Sequence, residues 1–185
     1  MILGTRYIGE FVSETRRQLQ EGGYISPPES RGKLDDLAGE MRIRLFEDTA
    51  RTMISSFGYW LWGVDEDVLP AFPAQAMVYI RTDAHEMVDW ERNWPACGGK
   101  LYGGRMVALK WDPVWWNISA FRLPFPPFQI GSDYDVEDVD FNEATALGFQ
   151  VPENLSVNVK VDLDVPDLTR RFADNLAAYQ SKFKL

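Results

Sequence analysis

One histidine, one cysteine and a dense run of carboxylates are the residues in this chain whose types and spacing could do chemistry. His85 stands beside Glu86, a titratable base next to a carboxylate. A His-x-x-x-His zinc helix needs a second histidine, and a zinc deaminase site needs a Cys-x-x-Cys, so neither fits Cys97 and His85. No Gly-x-Ser-x-Gly elbow is present. Without a second member of a catalytic set, His85 is expected to be a structural or interaction residue. The acids are Asp133, Asp135, Glu137, Asp138 and Asp140. An EF-hand loop counted from Asp133 needs glycine at its sixth place and glutamate at its twelfth, and finds Asp138 and Ala144. That excludes the EF-hand. Two readings stay open: an irregular divalent-cation site, or solvated carboxylates with Asp140 capping a helix.

Two further motifs invite a ligand. Gly98-Gly99-Lys100-Leu101-Tyr102-Gly103-Gly104-Arg105 suggests a phosphate cradle. A P-loop requires four residues between its glycines and Ser or Thr after the lysine; here Leu101 follows Lys100. Paired turns leading into a strand are the better expectation. Trp111, Trp115, Trp116, Phe121, Phe125 and Phe128 could stack bases, but stacking platforms lie in basic grooves. Only Lys110 and Arg122 flank this cluster, so core or protein–protein packing is expected of it.

The elements that must position these residues follow from hydrophobic spacing. Tyr7, Ile8, Phe11, Val12, Thr15 and Leu19 recur at three and four and predict a helix that Gly22 and Gly23 stop. A second helical block carries Leu34, Leu37, Ala38 and Met41, then Ile43, Phe46, Ala50, Met53, Ile54 and Phe57, with Gly39 as a kink or division. Strands are expected over 77–81 and 105–111. Asp112-Pro113 ends the second of these, and a short helical turn through Val114, Trp115, Trp116 and Ile118 follows. Leu123 to Ser132 holds Pro124, Pro126 and Pro127. Each residue before a proline is pushed toward extended geometry, so this stretch reads as a stiff strap pinned by Phe125, Phe128 and Ile130. Asp140 with Glu143 three residues later caps a short helix that Gly148 closes. Ser156 to Val165 alternates strictly and predicts a half-buried strand. Leu168, Phe172, Leu176, Tyr179 and Phe183 line a last helix.

The expected fold is α+β: an N-terminal helical arm or hairpin over 1–63, then a body over 64–185. That body holds a small mixed or antiparallel sheet, the strap at 123–132 and a C-terminal strand and helix at 156–184. The chain has 185 residues, 45% of them hydrophobic, enough for a real core, and 14% aromatic with seven tryptophans. So many flat side chains point to some packing against a partner. The net charge is −9, and residues 131–185 carry 11 acids against 5 bases. With no basic run, DNA contact is expected to be weak at most. A lone cysteine excludes an intrachain disulfide framework. No stretch is apolar enough for a membrane span, and Arg6 and Glu10 interrupt any signal-like start.

The order of features from about Arg42 to Phe149 resembles the C-terminal domain of phage Mu F-like minor head proteins, also called head morphogenesis proteins. The resemblance rests on the helix Arg44-Leu45-Phe46-Glu47-Asp48-Thr49, then a strand with Arg81, then His85 and a glycine-rich turn. Asp112-Pro113-Val114-Trp115, Pro126-Pro127, Asp138-Val139 and the pieces Glu143-Ala144 and Leu147-Gly148 complete it. Relatives carry a Cys-x-Cys after the paired prolines where this chain reads Phe128 to Ser132 (FQIGS), and asparagine where it has Ala50. Metal or redox features tied to those cysteines therefore do not carry over. The resemblance implies a non-enzymatic virion or prophage assembly protein with no cofactor. Its partners would be portal or capsid proteins and possible further copies of itself, in the virion or in the host cytoplasm during assembly. Arg81, His85, Asp112, Trp115, Trp116, Pro126, Pro127 and Phe128 are the interaction or structural candidates. The alternatives are a small metal-dependent hydrolase using 133–140, and an acidic module that blocks a basic partner.

Overall fold

The computed structural model describes residues 2–80, 89–152, 155 and 165–183. Arg81, His85 and the alternating stretch 156–164 lie outside the described residues. The architecture is α+β, and the chain forms two compact units, Met1–Arg51 with Ala178–Leu185, and Thr52–Ala177.

In the first unit, α1 (Ile2–Glu21) stops where the glycine pair predicted. The amide of Tyr24 reaches back to the Leu19 carbonyl at 2.8 Å and that of Gly23 to Gln20 at 3.0 Å, which satisfies carbonyls that the helix end leaves open. The helix expected over Leu34 to Met41 is replaced up to Gly39 by consecutive turns, and α2 runs over Glu40–Gly63. Asp36 is the reason. Its carboxylate accepts from Ser26 Oγ at 2.6 Å, from the Ala38 amide at 3.1 Å and from the Gly32 amide at 3.3 Å. A short acidic side chain that binds nearby amides competes with helical hydrogen bonding. These bonds, Ser26 foremost, hold the Asp36 carboxyl below its ordinary value of 3.8. Leu34 and Ala38 are buried all the same.

The second unit is built on a four-stranded sheet in the order β2-β3-β1-β4, with every pairing antiparallel. β1 is Ala74–Tyr79, β2 Leu101–Tyr102, β3 Arg105–Leu109 and β4 Tyr134–Val139. β1 starts earlier than its hydrophobic run suggests, because Ala74 and Ala76 are small enough to lie fully buried. β3 stops short of Trp111. Gly103 and Gly104, with φ of 57° and 81°, make the tight turn between β2 and β3, a geometry that any side chain would resist. The glycine-rich motif is thus a hairpin, with Gly99 serving a second purpose. A Cβ there would stand 2.3 Å from the Trp94 indole, which donates from Nε1 to the Lys100 carbonyl at 2.9 Å.

Both sheet faces are covered. Met77, Met106 and Ala108 pack with Val114, Trp115 and Phe128 and with Trp90 and Trp94 from α3 (Trp90–Ala96). On the other face Ala74, Ala76, Val107 and Val139 pack with Ala144 of α5 (Phe141–Ala146), flanked by Leu147 and Phe149. The cap expected of Asp140 is present, and Asp112, read from sequence only as the end of a strand, caps a helix as well. Asp112 accepts from the Val114 amide at 2.9 Å to open α4 (Pro113–Ile118), and Asp140 accepts from Glu143 at 2.8 Å to open α5. In α6 (Val165–Phe183), Phe172 and Leu176 are buried.

The proline-rich strap is core. Phe121, Leu123, Phe125, Phe128 and Ile130 are all buried, and the Pro126–Pro127 peptide is cis. Gln75 of β1 donates to the Pro124 carbonyl at 3.2 Å, and the Ile130 amide donates to Asn175 Oδ1 of α6 at 2.7 Å. These bonds tie an irregular segment to the sheet and to a helix, so its buried polar groups are satisfied.

Candidate functional site

The acids that could have formed a metal site are sorted by strand parity. Successive residues of a strand point to opposite faces, so Glu137 and Asp138 part company. Glu137 pairs with Arg105, which also pairs with Glu143. Asp138 turns to the other face and meets Lys110 Nζ at 2.8 Å. Asp140 caps α5, and Asp135 accepts from the Val136 amide at 2.8 Å. Glu137 and Asp138, with side chains 53% and 40% exposed, stay solvated as expected and in addition form ion pairs across the sheet. Among the described residues no group of three or more His, Cys, Asp or Glu side chains is disposed to hold a metal ion.

Lys110 is the most unusual polar group in this unit, 1% exposed at the end of β3. Its Nζ donates to the Gly63 carbonyl at 3.2 Å as well as to Asp138, and its own carbonyl accepts from Trp60 Nε1 at 3.2 Å. A buried ammonium is tolerable only when it is paired and hydrogen-bonded, and this one is both. Its contacts are those of a clamp between the end of α2 and the sheet.

The candidates named from sequence are placed as follows. Trp115, Pro126, Pro127 and Phe128 are buried and belong to the framework, with Trp115 and Phe128 stacked at 5.9 Å between ring centres. Trp116 is half-buried, edge-on to Trp60 at 6.4 Å. Asp112 is a helix cap. What lies open instead is one side of α2. Within the second unit, Met53, Phe57 and Trp60 form the inner stripe, Phe57 and Trp60 packing on Phe125 at 5.5 and 6.1 Å. Ile54, Gly58, Leu61 and Trp62 fall at i, i+4, i+7 and i+8 and form a second stripe, with Tyr59 beside it. Ile54 is 72% exposed, Tyr59 77% and Trp62 60%, and a Cβ at Gly58 would meet nothing within 4 Å. The result is a ridge of large apolar side chains with a shallow gap at Gly58.

No family model matches the chain. Nor does any curated protein or solved structure. The ridge is therefore judged on its own physics. From Met53 to Trp62 the helix is apolar on two stripes, and among the described residues only the inner one is packed. Clustered exposed aromatics of this kind mark contact surfaces, since Trp and Tyr dominate the centres of interfaces. The sequence pattern put Ile54 in the second helical block with Met53 and Phe57, without telling the two stripes apart, and passed over Tyr59, Leu61 and Trp62. The available signal was the double stripe, since 53, 57 and 60 already account for one face.

Proposed function

We propose that this chain is a non-enzymatic assembly protein that works by docking, and that its partners are portal or capsid proteins of a tailed-phage head. The single observation that carries the docking reading is the exposed ridge Ile54, Tyr59, Leu61 and Trp62 on a helix whose inner stripe is already packed. The phage setting, in the virion or in the host cytoplasm during assembly, is supported by the order of motifs from Arg42 to Phe149. A hydrolase using 133–140 draws no support from the geometry, because Glu137, Asp138 and Asp140 are engaged by Arg105, Lys110 and the α5 cap.

The test is co-expression with tailed-phage portal and capsid proteins, followed by size exclusion with light scattering and by cross-linking. The expected outcome is a stable complex, cross-linked near α2, that the Ile54→Ser/Trp62→Ser double variant no longer forms. A wild-type protein that stays monomeric and captures neither partner overturns the reading.

A further inference from the structure

A cavity of about 480 Å³ opens between α3, α4, the start of the strap and α6. Its size falls in the range of small-ligand sites. Its charge is the reverse of the chain's. The protein carries −9 overall, yet the cavity lining contains Arg122 and Arg171 and no carboxylate. The amide side chains of Asn93, Asn117 and Gln129 add neutral polar groups, and Ile118 adds an apolar wall.

Arg122 is the decisive residue. Its φ is 58°, in the left-handed region where a Cβ is disfavoured and glycine is the easy choice. The backbone is held there: the Arg122 amide donates to the Ser119 carbonyl at 3.1 Å, and Ser119 Oγ accepts from the amides of Phe121 and Leu123 at 3.2 and 3.3 Å. The guanidinium is held too. Nη1 donates to the carbonyls of Trp116 and Asn117 at the end of α4, at 3.3 and 3.4 Å. The residue is exposed, and its Nε and Nη2 donate to no group among the described residues. They form one straight edge of the guanidinium, two parallel donors that match the two oxygens of a carboxylate. A cap alone would not require a strained backbone carrying a side chain. Such strain persists where the surroundings enforce it and function uses it.

We propose that this cavity binds a carboxylate, carried by a molecule with an apolar group next to it, through the Nε/Nη2 edge of Arg122. Arg171 contributes a second and weaker attraction, because its Nε is already paired with Asp167. The partial neutralisation matters for selectivity. One guanidinium with no carboxylate partner among the described residues, in an acidic protein, favours a monoanion over a phosphate dianion, which the surrounding charge repels more strongly. Ile118, Trp90 and Phe128 in the lining suit an aliphatic or aromatic group beside the carboxylate. A small organic acid and the free end of a polypeptide share this chemistry.

The test uses the full chain and two-dimensional NMR, following the side-chain amide signals of Asn93, Asn117 and Gln129. The probes are N-acetyl-phenylalanine, its carboxamide, inorganic phosphate, and a pentapeptide ending in phenylalanine with a free carboxylate. Saturable shifts are expected with the free acids and not with the carboxamide or phosphate. Tighter binding of the pentapeptide identifies a chain end as the source, and equal binding identifies a small acid; either supports the site. Arg122→Gln is expected to weaken binding about tenfold or more, the loss of a charge-assisted pair. Asn93→Asp, an exposed and nearly isosteric change, is expected to weaken it several-fold by repulsion, and keeps the test alive should Arg122→Gln unfold. Equal binding of acid and carboxamide, tighter binding of phosphate, no saturable shift, or unchanged affinity in the variants overturns the proposal.

Discussion

The strap at 123–132 and the ridge on α2 are two concentrations of large apolar side chains with opposite fates. Phe125, Phe128 and Ile130 are each 1% exposed or less, whereas Ile54, Tyr59 and Trp62 are each at least 60% exposed. Hydrophobicity does not separate them. The separation comes from what each can reach. The strap is irregular, so its backbone can follow the sheet surface, and side chains such as Gln75 and Asn175 complete its hydrogen bonds. A helix satisfies its own backbone and can bury only part of its circumference against one neighbour. When its sequence is apolar on two stripes, one is left over.

The contrast yields a graded set of outcomes. The largest effect is expected in the strap. Phe128→Ala opens a cavity beneath Trp90 and Trp115 and should cost about 3–5 kcal/mol in urea unfolding. A loss below about 1 kcal/mol would mean that the strap is not the core it resembles, since such losses are typical of sites that matter little. Next comes Lys110→Met. It keeps the apolar stem but strips the donor from the buried Gly63 carbonyl, and should cost about 1–3 kcal/mol by the same measurement.

A smaller and pH-dependent effect belongs to Asp36. Its carboxyl is held below 3.8 in the folded state, so the stability it contributes is present above that value and is lost as pH falls through the lower, folded-state value. Asp36→Asn should cost about 1–2 kcal/mol at neutral pH, and the difference from wild type should shrink on acidification toward the folded-state value, read by thermal melts across pH. The smallest stability change is expected on the ridge. Ile54→Ser and Trp62→Ser should stay within about 0.5 kcal/mol of wild type, because no neighbour covers them. They should nevertheless abolish complex formation. A ridge variant that melts as badly as a strap variant would erase the distinction between the two regions.

Local signals were legible in the chain and local structure obeyed them. Gly22-Gly23 ends α1, Asp112-Pro113 ends the β3 segment, Asp140 caps α5, and Gly103-Gly104 turns the β2–β3 hairpin. Each depends on a few neighbouring atoms, so residue type and spacing suffice. β4 escaped notice because Asp135, Glu137 and Asp138 interrupt its apolar alternation, and their partners Arg105 and Lys110 lie far off in the chain. The turns over 30–39 escaped because Leu34, Leu37 and Ala38 have helical spacing, while Asp36 gathers amides and hydroxyls that only the folded loop brings near.

By itself, then, the amino-acid order determined the α+β class, the caps, the turns and the apolar content of strap and helix. Only the tertiary structure decided which apolar surface is sealed, which carboxylates find cations, and which guanidinium edge is left open. The physical reason is one of range. Caps and turns are set by atoms within about four residues of one another, as helix-end hydrogen bonding requires. Burial and charge pairing are set by packing between distant segments, and a periodic pattern alone does not reveal which of two stripes will meet a neighbour.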